Sequence, residues 1–386
     1  MSNCVDTPVE RDDGWDMIHV PIPNDLRSSW LSSYGFTHFD HLFTERQLLA
    51  LMTFSDLIND VRDRIWQDAM DCELDDDVPL NDGGTGVRAY ADAVSVYLGI
   101  NINRLADRGC VLAFWDNATQ KISHAFRRQS LSMVWDFCES NPVGDSGGAW
   151  MARFFYLAMC LDVFSNQMPG IAMSCDSRIQ QSSAGHFVST DPPYYDNVGY
   201  AVLSDFFYVW LRRTLRFVYP SLFSTLVAPK DEELIAAPYR HGGKRQAETF
   251  FRDGMTQTLR NLVSLACPSA PITIYYAYKK SDSKGKCLSS PGWEAFWQAL
   301  INSGFLVTAI WPIRTELTGN LKKTRNAIAS SIVFVCRKRP ENTEVITRHQ
   351  FIRLLAEVLP RAIDQLTRLG GGFRQIHQRS HRLNSS

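Results

Sequence analysis

The chain has 386 residues, 45% apolar and 12% aromatic, enough to bury one large core or two modest ones and too apolar for a disordered polymer. Lys plus Arg number 40 against 41 Asp plus Glu, so no overall basic field announces a nucleic-acid binder, and any contact with a polyanion must come from local patches. The 9 cysteines are scattered from Cys4 to Cys336 without a CxxC pair, which argues against a zinc site or a disulfide framework and points to a reducing cytoplasm.

Residues 1–34 read as an irregular segment whose acidic start, with Asp6, Asp12 and Asp13, lacks the apolar stretch of a secretory signal. A mostly helical domain over 35–150 follows. Thr44-Glu45-Arg46-Gln47 forms a capping box ahead of Leu48, Leu51, Met52, Ile58 and Ile65, which recur at helical spacing. The acidic run Asp68–Asp82 reads as a solvated loop, and Gly83–Gly86 leads into a helix over Val87–Leu98. Further helices are expected over Arg128–Glu139 and Trp150–Phe164; the latter window, broken by Arg153 and Asp162, falls short of the roughly 20 apolar residues that cross a bilayer.

The texture then changes. Short apolar runs bounded by turn residues predict strands at Ile171–Cys175, Phe187–Thr190, Ile272–Tyr278, Phe305–Trp311 and Ser331–Cys336. Helical patterns at Leu203–Val218, Gln246–Ala266 and Trp293–Asn302 alternate with them, which predicts a mostly parallel α/β domain over 151–340. The last two strands have no helix between them and suit an antiparallel pair closing one edge. A C-terminal helix is expected over 341–369 and a disordered tail over 370–386.

The strongest chemical signal is Asp191-Pro192-Pro193-Tyr194 at the carboxyl end of the second predicted strand, where open α/β sheets bind ligands. To methylate an exocyclic amine, its lone pair must be drawn out of conjugation and aimed at the donor, which is work of positioning. The Asp191 carboxylate can accept one amine hydrogen and the Pro192 carbonyl the other, while the prolines stiffen the turn and Tyr194 offers a ring to the face of an extruded base. Taken alone, four such residues are also a rigid turn. The aromatic run Phe206, Phe207, Tyr208 and Trp210 has the helical spacing of core packing, and the basic loop Arg240, His241, Lys244 and Arg245 is read as a solvated face with a phosphate contact as the alternative.

The longer stretch from Asp191 to Arg213, with Asp-Pro-Pro-Tyr-Tyr-Asp-Asn-Val-Gly-Tyr at its head, resembles the zinc-ribbon-containing family of adenine-specific DNA methylases. The resemblance runs on through Leu42-Phe43-Thr44, Trp135-Asp136-Phe137, Pro229-Lys230, Trp311-Pro312 and Ala329-Ser330-Ser331, covering about residues 35 to 365. It implies a Rossmann-like methyltransferase sheet with an antiparallel final strand pair, S-adenosylmethionine as cofactor, DNA as partner, Asp191 to Tyr194 as the target-base motif, and Asp176 as a contact for the cofactor's adenine. Tyr195 and Asn197 become candidate substrate contacts, although Asp196, Asn197 and Tyr200 beside Gly199 are also natural turn formers.

The glycine-rich turn that holds the cofactor's methionine end in such enzymes is not found. Gly83–Gly86 and Gly144–Gly148 both lack a preceding strand, and the family's zinc ribbon is missing. The chain therefore resembles the carboxyl-terminal half of the enzymes of that family. Three readings stay open: half of a split enzyme whose second polypeptide supplies the cofactor glycines, an inactive remnant, or a non-enzymatic DNA-binding subunit.

Overall fold

The computed structural model describes residues 15–25, 29–70, 72, 77–127, 130–164, 170–195, 198–277, 291–313, 331–343 and 346–368. They divide into two compact units, each discontinuous in sequence: residues 1–174 with 198–233, and residues 175–197 with 234–386. Among the described residues no helix is long and apolar enough to cross a membrane.

The first unit is built on α1 (Glu45–Met70), α2 (Val87–Ala106), α3 (Trp150–Leu161) and α4 (Tyr200–Leu215), with a small antiparallel ribbon of β1 (Trp115–Asp116) and β2 (Lys121–Ile122). The expected capping box is formed reciprocally: the Thr44 amide donates to Gln47 Oε1 at 2.8 Å and the Gln47 amide to Thr44 Oγ1 at 3.3 Å, satisfying two otherwise orphaned donors. Helix α1 buries Leu48, Leu51, Met52 and Ile58 against Ile102 and Leu105 of α2 and against Phe206, Val209 and Trp210 of α4. The aromatic run of α4 is thus core, as its spacing predicts. Helix α2 continues past the expected Leu98 because Gly99 faces α4, where a Cβ would stand 3.0 Å from Leu215 Cγ.

Charge holds this unit in register. Arg213 of α4 reaches Asp56 of α1 at 2.7 Å, and Arg62 reaches the buried Asp92 of α2 at 2.7 Å. Asp205, fully buried in α4, lies 2.8 Å from Lys230 and accepts the Ala228 amide at 2.9 Å, fastening the segment that follows α4.

The helix expected over Arg128–Glu139 is not formed: the described residues 130–139 are irregular, with Leu131 bridged to Ser29. A helix would gather Leu131, Trp135 and Cys138 on one face. Leu131 is buried, but Trp135 is 87% exposed, and extended chain lets Cys138 donate its amide to the Ala113 carbonyl at 3.0 Å instead.

The second unit is a four-stranded mixed sheet in the order β3-β4-β6-β5, from β3 (Ser189–Thr190), β4 (Ile272–Ala277), β5 (Phe305–Ile313) and β6 (Ser331–Lys338). β3 runs parallel to β4, while β6 enters between β4 and β5, antiparallel to both. Three of the described strands therefore point one way and β6 alone is reversed, a mixed sheet that agrees with the expected antiparallel final pair. The inward residues Ile272, Ile274 and Tyr276 of β4 and Phe334 and Cys336 of β6 pack with Phe251, Met255 and Leu259 of α5 (Lys244–Leu265) and Phe296, Ala299 and Leu300 of α6 (Pro291–Asn302). Helix α7 (Arg348–Arg368) opens with a second reciprocal box, Thr347 with Gln350, and its Phe351, Leu355 and Leu359 are exposed.

The strand expected at Ile171–Cys175 is also absent. Its residues are exposed, Ile171 to 87%, and no described strand lies alongside to satisfy its backbone, so apolar composition alone does not make a ladder.

Candidate active site

β3 is short but well anchored. The Thr273 amide donates to the Val188 carbonyl and the Cys267 amide to the His186 carbonyl, both at 3.0 Å, so the parallel register with β4 fixes where the chain leaves the sheet. Asp191 is the first residue beyond the strand's carboxyl end and is exposed. Pro192 and Pro193, each with φ locked by its ring, carry the backbone away stiffly.

The Tyr194 hydroxyl donates to Asp191 Oδ1 at 2.8 Å, closing the four-residue turn upon itself. The other carboxylate oxygen of Asp191 has no hydrogen bond among the described residues. The Tyr194 ring stands edge-on to Tyr276 of β4 with centroids 5.4 Å apart. Tyr276 in turn stacks on Phe296 at 4.2 Å and donates its hydroxyl to the Gly292 carbonyl at 3.3 Å, so strand β4 and helix α6 together set the ring's position.

Tyr195 is held from three sides. Its ring meets Phe251 of α5 edge-on at 5.2 Å, its carbonyl accepts the Ala236 amide at 2.6 Å, and a Cβ on Gly292 would lie 2.6 Å from Tyr195 Cβ. That last distance makes glycine obligatory at position 292. Gly292 is the site residue that sequence reasoning missed; the available signal was Pro291-Gly292 directly ahead of an aromatic helix. Asn197, the second candidate substrate contact, lies outside the described residues, as does Asp196.

Asp176 belongs to the same unit but does not end a strand. It opens a turn whose carbonyls at Ser177 and Gln180 accept hydrogen bonds from Asn261 of α5. Its carboxylate is gripped by Arg178 through Nε at 2.9 Å, Nη2 at 2.7 Å and the backbone amide at 2.9 Å. These bonds from Arg178 hold its pKa below the ordinary carboxylate value. The basic loop is likewise engaged: Arg240 donates to the Tyr239 hydroxyl at 3.0 Å and His241 stacks on Phe250 at 4.0 Å, which leaves it a structural collar for the start of α5.

The donor set at β3 fits an amine-bearing base, since it offers a carboxylate with spare acceptor capacity, a proline carbonyl and a fixed aromatic ring. It does not fit the cofactor as a whole. Neither glycine cluster follows a strand: Gly83–Gly86 succeeds a single 3-10 turn and Gly144–Gly148 succeeds irregular chain. Asp176, the residue that the resemblance assigns to the cofactor's adenine, already spends its carboxylate on Arg178. Compared with known proteins, the chain matches no family model, no curated sequence and no solved structure.

Proposed function

We propose that this chain carries the target-base half of an adenine-type DNA methyltransferase, acting on the exocyclic amine of an adenine swung out of the duplex. In this reading S-adenosylmethionine is the methyl donor, and its glycine-rich cradle comes from a polypeptide segment outside these 386 residues. The observation that carries the reading is the geometry of Asp191 and Tyr194 at the carboxyl end of a parallel strand.

The chain's own residues have defined tasks. Asp191 and the Pro192 carbonyl accept the two amine hydrogens and turn the nitrogen lone pair out of the ring plane. Tyr194, steadied by Tyr276, keeps Asp191 in one rotamer and offers its ring to the face of the base. Such work lowers the barrier by fixing orientation beforehand, with no covalent intermediate on the protein.

The sheet supports a partial enzyme. β3 is its edge strand among the described residues, the apolar run Ile171–Cys175 has no ladder, and the reversed β6 agrees with the antiparallel finish expected of a Rossmann-like methyltransferase sheet. The test is the N6-methyladenine content of DNA from cells that express the chain with the protein encoded directly upstream. Methylation lost on Asp191→Ala, with the fold preserved by circular dichroism, is the expected result; undiminished methylation in that variant overturns the assignment.

A further inference from the structure

Arg153 is the most conspicuous charge in the first unit that the proposed function leaves unused. It lies in the first turn of α3, 7% exposed, and among the described residues its side chain makes no ion pair or hydrogen bond. Its Nε is buried without a partner, and its one directed contact is with the Tyr156 ring, 5.0 Å from the guanidinium carbon. A buried guanidinium of this kind is costly unless an anion meets it.

The placement sharpens the point. The N-terminal turn of a helix carries partial positive charge, so an arginine there adds like to like, and α3 has no acidic residue in its first turn to compensate. No side chain caps the helix either; Ala149 occupies that position. Directly before it, Gly144 to Gly147 line the wall of a cleft of about 720 Å³, and Arg153 lines the same cleft.

Three more cations share it. Arg104 and Lys121 are exposed and unpaired among the described residues, and Arg108, 3.0 Å from His124 Nε2, stands 3.9 Å from Asp107. Burial, then the neighbouring Arg108 and Arg104, lowers the pKa of Arg153, the signature of a cationic field without its counter-charge. Of the two acids at the rim, Glu139 is held by Arg46 at 3.0 Å, which leaves Asp145 as the single exposed carboxylate.

We infer that this cleft is a phosphate-binding site, in which the Arg153 guanidinium, with Arg104, Arg108 and Lys121 around it, receives a phosphate group from a nucleic-acid backbone or a free nucleotide. The planar fork of guanidinium donors matches the oxygens of a tetrahedral oxyanion. The assignment stands apart from the methyl-transfer reading, because inorganic phosphate probes the cleft without any methyl donor.

Calorimetric titration of the full chain with inorganic phosphate tests it. Wild-type protein should bind, and Arg153→Gln should weaken binding about tenfold or more. If Arg153→Gln fails to fold, the exposed pair Arg104→Gln with Lys121→Gln replaces it, with a weakening of several-fold expected. Displacement of phosphate by a short DNA duplex identifies the backbone as the source, and displacement by a nucleoside triphosphate alone identifies a free nucleotide. No phosphate binding by the wild type, or binding unchanged in the variants, overturns the site.

Discussion

Two aspartates show how differently the two units use charge. Asp205 in α4 is sealed from solvent, with Lys230 at 2.8 Å and the Ala228 amide at 2.9 Å, so its carboxylate is spent on fixing the chain's path. Asp191 after β3 is exposed and takes one hydrogen bond, from Tyr194, which orients the carboxylate and leaves an oxygen to spare. On the proposed reading the first carboxylate builds structure and the second is kept for a ligand. Substitutions at the two sites should therefore separate stability from activity.

The largest effect is expected at Asp205→Ala. Removing one member of a buried pair strands Lys230, a loss of about 3–5 kcal/mol read as a drop in the urea midpoint. Asp191→Ala should leave that midpoint unchanged and cut methyl transfer by the complete enzyme on the order of 10²-fold or more, the scale for deleting one preorganised polar group. If both variants lose stability alike, the contrast between them fails. Gly292→Ala lies between these cases. Its new methyl collides with Tyr195, so it should cost about 1–3 kcal/mol by overpacking and reduce activity together with stability.

Smaller effects probe the local devices. Thr44→Ala removes one half of the α1 capping box and should destabilise by about 0.5–2 kcal/mol, visible in thermal melts. Asp176→Asn breaks a partly exposed clamp on Arg178 and should cost less than about 1 kcal/mol after solvent screening. The folded-state pKa of Asp176 is depressed, so this contribution is present above the ordinary carboxylate value of 3.8 and disappears as pH falls through the lowered one. Wild type and variant should therefore melt differently at neutral pH and converge in strong acid.

Much of the fold was legible in the sequence because the signals were local. The Thr44 box, the aromatic stripe of α4, and the strands β4, β5 and β6 each follow from spacing or composition within one segment. The division into units was less so: α3 and α4 pack with the N-terminal helices, whereas composition places them with the strands after Met151. The failures at residues 130–139 and at Ile171–Cys175 share a cause. Both runs are apolar enough for regular structure, but what forms depends on distant partners, Ala113 in one case and a missing neighbour strand in the other.

The candidate site shows the same limit. Asp191 to Tyr194 is readable as a motif, yet the Tyr276 and Gly292 that hold it in place come from β4 and α6, far along the chain. Arg153 was visible only as an interruption in an apolar window. That its charge is buried without an acid partner among the described residues emerges from packing alone.

The most direct test of the central claim is calorimetric titration with S-adenosylmethionine, of the chain by itself and together with the polypeptide encoded directly upstream. No measurable binding is expected by the chain alone, and binding is expected when a polypeptide that supplies the glycine cradle is present. Tight binding by the chain alone would contradict the claim that the cofactor's glycine cradle lies elsewhere, and no binding in either case would contradict the methyltransferase reading itself.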